Sequence, residues 1–202
     1  SVVDERAAAF FALGMAQQSK KAVVLVCTSG SALLNFYPAV AEAYYSNIPL
    51  VILSADRMPH RIDIGDGQTI RQNGVFEPHL EAAANLKPDV AHATETLLEN
   101  PMQQLLHPAT TPDQIEQIKK EINIHNLNEM VRVWATAEQK KGPVNLNIPM
   151  EEPLYGMTSE EISLSIHLQK QKLQNAFQKT GKIKKAWHKA SKKWVIIGVM
   201  AP

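Results

Sequence analysis

KKAVVLVCTSGSALLN, residues 20–35, is the stretch on which the fold turns. A short, continuous apolar run ends in Thr28-Ser29-Gly30, and the texture then changes to that of a helix. A run of this length bounded by a turn reads as a strand buried on both faces. The same grammar returns at IPLVILSADR, residues 48–57, where an apolar run again ends in polar residues. Between the two, SALLNFYPAVAEAYYSN reads as helix, kinked or restarted at Pro38. Strand, helix and strand in such close succession imply parallel strands with right-handed crossovers. The expected fold class is α/β, a three-layer sandwich on a mostly parallel sheet.

Upstream, VVDERAAAFFALGMA, residues 2–16, carries Phe10, Leu13 and Gly14 at helical spacing with alanines between, and Asp4 reads as its N-cap. Glu5 in the first turn is either a carboxylate favoured by the helix dipole or a group kept for chemistry. Downstream, MPHRIDIGDGQTIRQNG, residues 58–74, is polar, turn-rich and too long for a simple connection, which makes it a candidate functional loop. AAANLKP reads as a short strand, ENPMQQLLHPATTP as a loop, and PDQIEQIKKEI and LNEMVRVWATAEQ as two helices. GPVNLNIPMEEPLYG reads as a Gly-Pro turn, a strand and a Pro-studded exit. Residues 157–193 read as a linker and a lysine-rich amphipathic helix with Leu173, Phe177 and Trp187 along one stripe, and Trp194 opens what reads as the first strand of a further domain, residues 194–202.

Composition narrows the function classes. The chain has 202 residues and a formal net charge of +1, so its overall charge gives no reason to expect a nucleic-acid or membrane-surface partner. No apolar run approaches the roughly 20 residues that span a bilayer. The single cysteine, Cys27, reads as a buried, reduced thiol in a cytoplasmic protein. Neither a GxGxxG turn nor a Walker A loop is present, and the seven histidines contain no HxxxH pair, so no metal ligands are assigned. Ser29 follows a strand as a nucleophile elbow would, without the GxSxG pattern. Thr-Ser-Gly at the carboxyl end of a parallel strand is a place where open α/β sheets bind ligands, although Ser29 or Ser31 could instead cap the next helix. Gly65-Asp66-Gly67 lies in an irregular loop without a preceding buried strand and reads as a tight turn. Arg57 ends a strand where a guanidinium can take a carboxylate bidentately, or pair with Asp56 or Asp63.

Taken in order, DERAAAFFALGMA, VVLVCTSGSALLNFYPAVAEA, PLVILSADRMP, IDIGDGQTIRQ and GPVNLNIPMEEPLYG resemble the N-terminal pyrimidine-binding domain of the MenD family, thiamine diphosphate enzymes of menaquinone biosynthesis. The resemblance implies a pyrimidine domain over residues 1–156 that lacks the family's first strand and helix. It implies decarboxylation of 2-oxoglutarate and addition of the product carbanion to isochorismate. Glu5 would be the catalytic carboxylate, exchanging a proton with the pyrimidine ring nitrogen, with its pKa raised by a dry wall of Ala and Phe. Thr28, Ser31 and Asn35 would join Glu5 in binding the cofactor, and Arg57 and Gln68 would hold substrate. The Mg²⁺ or Mn²⁺ ligands would lie in a diphosphate-binding domain outside this chain, so the chain alone is expected to be inactive. A homo-oligomer, dimer or tetramer, is implied. An acetolactate synthase-like enzyme and a non-catalytic interaction domain are the alternative readings.

Overall fold

The computed structural model describes residues 1–88, 90 and 110–151. The first helix, α1, runs Glu5–Ser19, and it starts where the sequence stops being extended. Asp4 has β backbone angles and its Oδ1 accepts the Ala7 N–H at 2.7 Å. Such a cap is worth about 1 kcal/mol and fixes which residues occupy the first turn, Glu5 among them. Strand β1 (Val23–Cys27) follows, then the short helix α2 (Ser31–Leu34) and helix α3 (Tyr37–Tyr45). The restart expected at Pro38 is observed: Pro38 sits in the first turn of α3, where its missing N–H costs no helical bond. Strands β2 (Leu50–Arg57), β3 (Ala82–Asn85) and β4 (Val144–Met150) complete a sheet of order β1-β2-β4-β3 in which every pairing is parallel.

Two apolar clusters on opposite faces of the sheet make the three layers. Leu25, Cys27, Leu50 and Ile52 pack with α1, α2 and α3 through Ala9, Ala12, Leu13, Leu33, Phe36 and Val40. Val51, Val144 and Leu146 point the other way, against Val133 and Ala137 of helix α4 (Pro112–Lys140). The alternation along β2 follows from the two-residue period of a strand. At its start α4 carries a capping box between Thr111 and Gln114.

Three expectations change. β1 is not buried on both faces: Val24 is 41% and Val26 70% exposed. Among the described residues it is the edge strand, paired with β2 alone, and α4 packs chiefly against β2, β4 and β3. The two helices expected over residues 112–122 and 127–139 are one, because nothing between them, neither Gly nor Pro, interrupts the hydrogen-bond ladder. On α1 the buried face is Ala9, Ala12, Leu13 and Ala16, whereas Phe10 and Phe11 are 45% and 66% exposed. Residues 99–109 of the expected loop, the exit beyond Glu151, the lysine-rich helix and the strand from Trp194 lie outside the described residues. Among the described residues no helix is long and apolar enough to cross a membrane.

Candidate functional site

All the strands run the same way, so Cys27, Arg57, Asn85 and Met150 end at one edge of the sheet. Thr28–Gly30 leaves β1 there, and Gly30 is the N-cap of α2 with φ +86° and ψ −146°. That region is open almost solely to glycine. A Cβ at Gly30 would lie 2.9 Å from the carbonyl carbon and oxygen of Gln68, so the turn after β1 rests directly on the backbone of the 58–74 loop. Neither Ser29 nor Ser31 caps α2, which starts with no side-chain cap; the turn is held instead by the loop beneath it.

A buried amide does the holding. Gln72 is 1% exposed. Its Oε1 accepts the Gly30 N–H at 2.7 Å, and its Nε2 donates to the Ala55 carbonyl and to Asn147 Oδ1, both at 2.9 Å. Asn147 donates onward to Asp56 Oδ2 and Asn85 Oδ1, and its Oδ1 also accepts from Ser54 Oγ at 3.0 Å. Asn145 donates to the Ile52 carbonyl and Ser54 Oγ. Buried amides need partners for their polar atoms, and this chain of bonds supplies them for Gln72 and Asn147 across β2, β4 and β3. Burial pushes the Asp56 carboxyl above its ordinary value, while the Asn147 and Arg57 N–H bonds oppose the shift.

The expected site residues gather at this edge. Thr28, Ser31 and Asn35 are exposed, on the turn after β1, at the first residue of α2 and at its C-cap, with Asn35 Nδ2 donating back to the Ser31 carbonyl at 3.2 Å. Arg57 is the last residue of β2, in register with Met150, and Gln68 is exposed on the loop beside Gly30 with φ +57°. Asp63 pairs with Arg71 at 2.9 Å, and Asp56 Oδ1 accepts the Arg57 backbone N–H at 2.8 Å. Asp66 of the Gly-Asp-Gly turn takes the Arg61 guanidinium at 3.3 Å, and Arg61 also pairs with the buried Glu151 at 3.1 Å. The dry wall expected around Glu5 is not built by Phe10 and Phe11, whose rings face outward. Gln72, Asn145 and Asn147 were not read from the sequence as site residues. The signal was present in Val144-Asn-Leu-Asn-Ile148, where two amides alternate with apolar residues along an interior strand.

Glu5 stands within electrostatic reach of the end of β1. The Cys27 thiol is pushed up to about 11 from 9.0, by burial first and then by the Glu5 charge. A thiol raised in this way adds no pH dependence to stability below about pH 9, and its contribution is lost as pH rises through about 11. Alkylation needs the thiolate, so at pH 8 Cys27 is expected to react about a hundredfold more slowly than an unperturbed thiol. Glu5→Gln is expected to move the alkylation profile of Cys27 to lower pH. An unmoved profile would separate Glu5 from this strand end.

The donor set fits an aminopyrimidine. One carboxylate can share a proton with a ring nitrogen, and two hydroxyls and an amide offer both donors and acceptors. Among the described residues no group of three or more His, Cys, Asp or Glu side chains converges.

Comparison with known proteins agrees with this chemistry. Residues 1–83 match the family described as thiamine pyrophosphate enzyme, N-terminal TPP binding domain. The chain is 48% identical over 212 aligned positions to the 2-succinyl-5-enolpyruvyl-6-hydroxy-3-cyclohexene-1-carboxylate synthase of Christiangramia forsetii, an alignment covering 100% of this chain and 33% of that protein. The synthase of the same name from Flavobacterium psychrophilum is 44% identical over 203 positions, covering 100% of this chain and 31% of that protein. That of Bacteroides fragilis is 40% identical over 162 positions, covering 80% and 24%. The chain spans about a third of the length of the first two of these curated relatives.

Proposed function

The chain belongs to the thiamine pyrophosphate enzymes, among the 2-succinyl-5-enolpyruvyl-6-hydroxy-3-cyclohexene-1-carboxylate synthases, and from that premise we propose that it forms the pyrimidine-binding part of such a synthase. The reaction is decarboxylation of 2-oxoglutarate with transfer of the remaining fragment to isochorismate, in menaquinone biosynthesis in the cytoplasm. One observation carries the reading: a chain that aligns over its whole length with these synthases brings Thr28, Ser31, Asn35, Arg57 and Gln68 to one sheet edge, with Glu5 within electrostatic reach of it.

Thiamine diphosphate, when bound, supplies the electron sink that a 2-oxoacid needs to lose CO2. Glu5 holds a proton at its carboxyl oxygen and exchanges it with the pyrimidine ring nitrogen. Thr28, Ser31 and Asn35 hydrogen-bond the rest of the pyrimidine. Arg57 meets a substrate carboxylate with its planar fork, and Gln68 donates to the same anionic groups. Mg²⁺ or Mn²⁺ is assigned to residues outside this chain. Phe10, Phe11 and Met15, 45%, 66% and 49% exposed, give α1 an apolar flank that supports a homo-oligomer of at least two copies.

The test is CO2 release from 2-oxoglutarate by the full-length protein that carries this chain, with thiamine diphosphate and Mg²⁺. Release that depends on isochorismate is the expected result. Preferential turnover of pyruvate would move the protein to an acetolactate synthase-like activity.

A further inference from the structure

We propose that Gln72 is a positioning residue for the pyrimidine site, acting through the Gly30 turn; this rests on the thiamine diphosphate reading above. The turn that carries Thr28 and Ser31 has two anchors among the described residues. Its Cα packs on the Gln68 backbone, and its N–H is taken by Gln72 Oε1 at 2.7 Å. The first anchor limits how close the turn can come to the loop, and the second sets its orientation. Gln72 is itself held from the far side. Its two amide hydrogens go to Ala55 and Asn147, so its oxygen can face only Gly30. Through this one side chain, the end of β2 and the middle of β4 determine where the β1–α2 turn stands. Gln68 comes from the same loop, four residues earlier, so one segment aligns the pyrimidine-facing turn with a substrate-facing side chain.

Gln72 touches neither cofactor nor substrate in this account. Its loss leaves the Gly30 N–H buried without an acceptor, and the turn relaxes toward water to satisfy it. A purely structural amide would lower stability without changing how well the folded protein binds its cofactor. Asn145 provides that comparison, because it belongs to the same polar layer but bonds only Ile52 and Ser54 within the sheet.

The experiment titrates thiamine diphosphate into the full-length protein by calorimetry at a fixed Mg²⁺ concentration, below the Tm of every variant. Gln72→Met is expected to weaken cofactor binding about tenfold, the equivalent of one net hydrogen bond, and Asn145→Ala to leave it within about twofold of wild type despite a similar fall in Tm. Gln72→Asn, which keeps a buried amide but draws its oxygen back by about one methylene from the Gly30 N–H, is expected to weaken binding by a factor similar to that of Gln72→Met and remains informative where Gln72→Met does not fold. Equal losses in Gln72→Met and Asn145→Ala, or wild-type binding in Gln72→Asn, would overturn the positioning role. A wild type that binds no thiamine diphosphate would instead overturn the site itself, and the role of Gln72 with it.

Discussion

Glu5→Gln in the full-length protein is expected to lower turnover by roughly 10²–10⁴-fold while leaving the fold intact, the usual span for loss of a positioned acid–base group. Glutamine has nearly the same volume and remains in the first turn of α1. The Asp4 cap, which bonds Ala7, does not involve the Glu5 side chain. The amide can still hydrogen-bond a ring nitrogen, but it cannot give up or recover a proton at neutral pH. The defect should therefore fall on kcat, with cofactor affinity changed far less. Removing a carboxylate from a helix amino terminus costs about 0.3–1 kcal/mol of stability. That cost alone is what a purely dipolar Glu5 would show, so a small fall in Tm with unchanged kcat would return Glu5 to a structural role. Single-turnover CO2 release and a thermal melt on the same preparation separate the two.

Gly30→Ala is expected to destabilise the fold by about 2–5 kcal/mol, the sum of a disfavoured backbone conformation and an overpacked contact. At φ +86° any L side chain is strained, and here the new methyl would also meet the Gln68 backbone at 2.9 Å. Backbone cannot swing aside as the end of a flexible side chain can. The turn would have to lift off the loop, breaking the bond to Gln72 and separating Thr28 and Ser31 from Gln68. Gly14→Ala is the control. Its Cβ meets nothing within 4 Å in the middle of α1, so it is expected to stabilise by about 0.5–1 kcal/mol. Denaturant midpoints measured for both variants test the contrast, and a Gly30→Ala protein as stable as wild type would show that the turn does not rest on the loop.

Much of the architecture was legible without coordinates. The apolar runs ending in Thr28-Ser29-Gly30 and Asp56-Arg57 declare parallel strands, and Asp4 declares the start of α1, because each depends on neighbours in sequence. Pro38 likewise announces a helix restart through its own ring. Expectations failed where the answer depends on what packs from elsewhere. The composition of Val23–Cys27 is that of an interior strand, yet α4 packs chiefly against the other strands and Val24 and Val26 are exposed. Phe10 and Phe11 suit a core and instead face outward, since one stripe of α1 is enough to cover the sheet and small alanines let it come close.

The sequence by itself determined the order of strands and helices, their parallel direction, the family, and the residue types available for a pyrimidine site. The elements follow from local period and turn chemistry, and the family from resemblance to known sequences. Only the tertiary structure decided that Gln72 holds Gly30 from 42 positions away and Asn147 from 75. A glutamine in a polar loop carries no local mark of burial. Its role arises when strand register sets β4 beside β2 and the loop closes over them, leaving one amide to satisfy three backbone and side-chain partners that water can no longer reach.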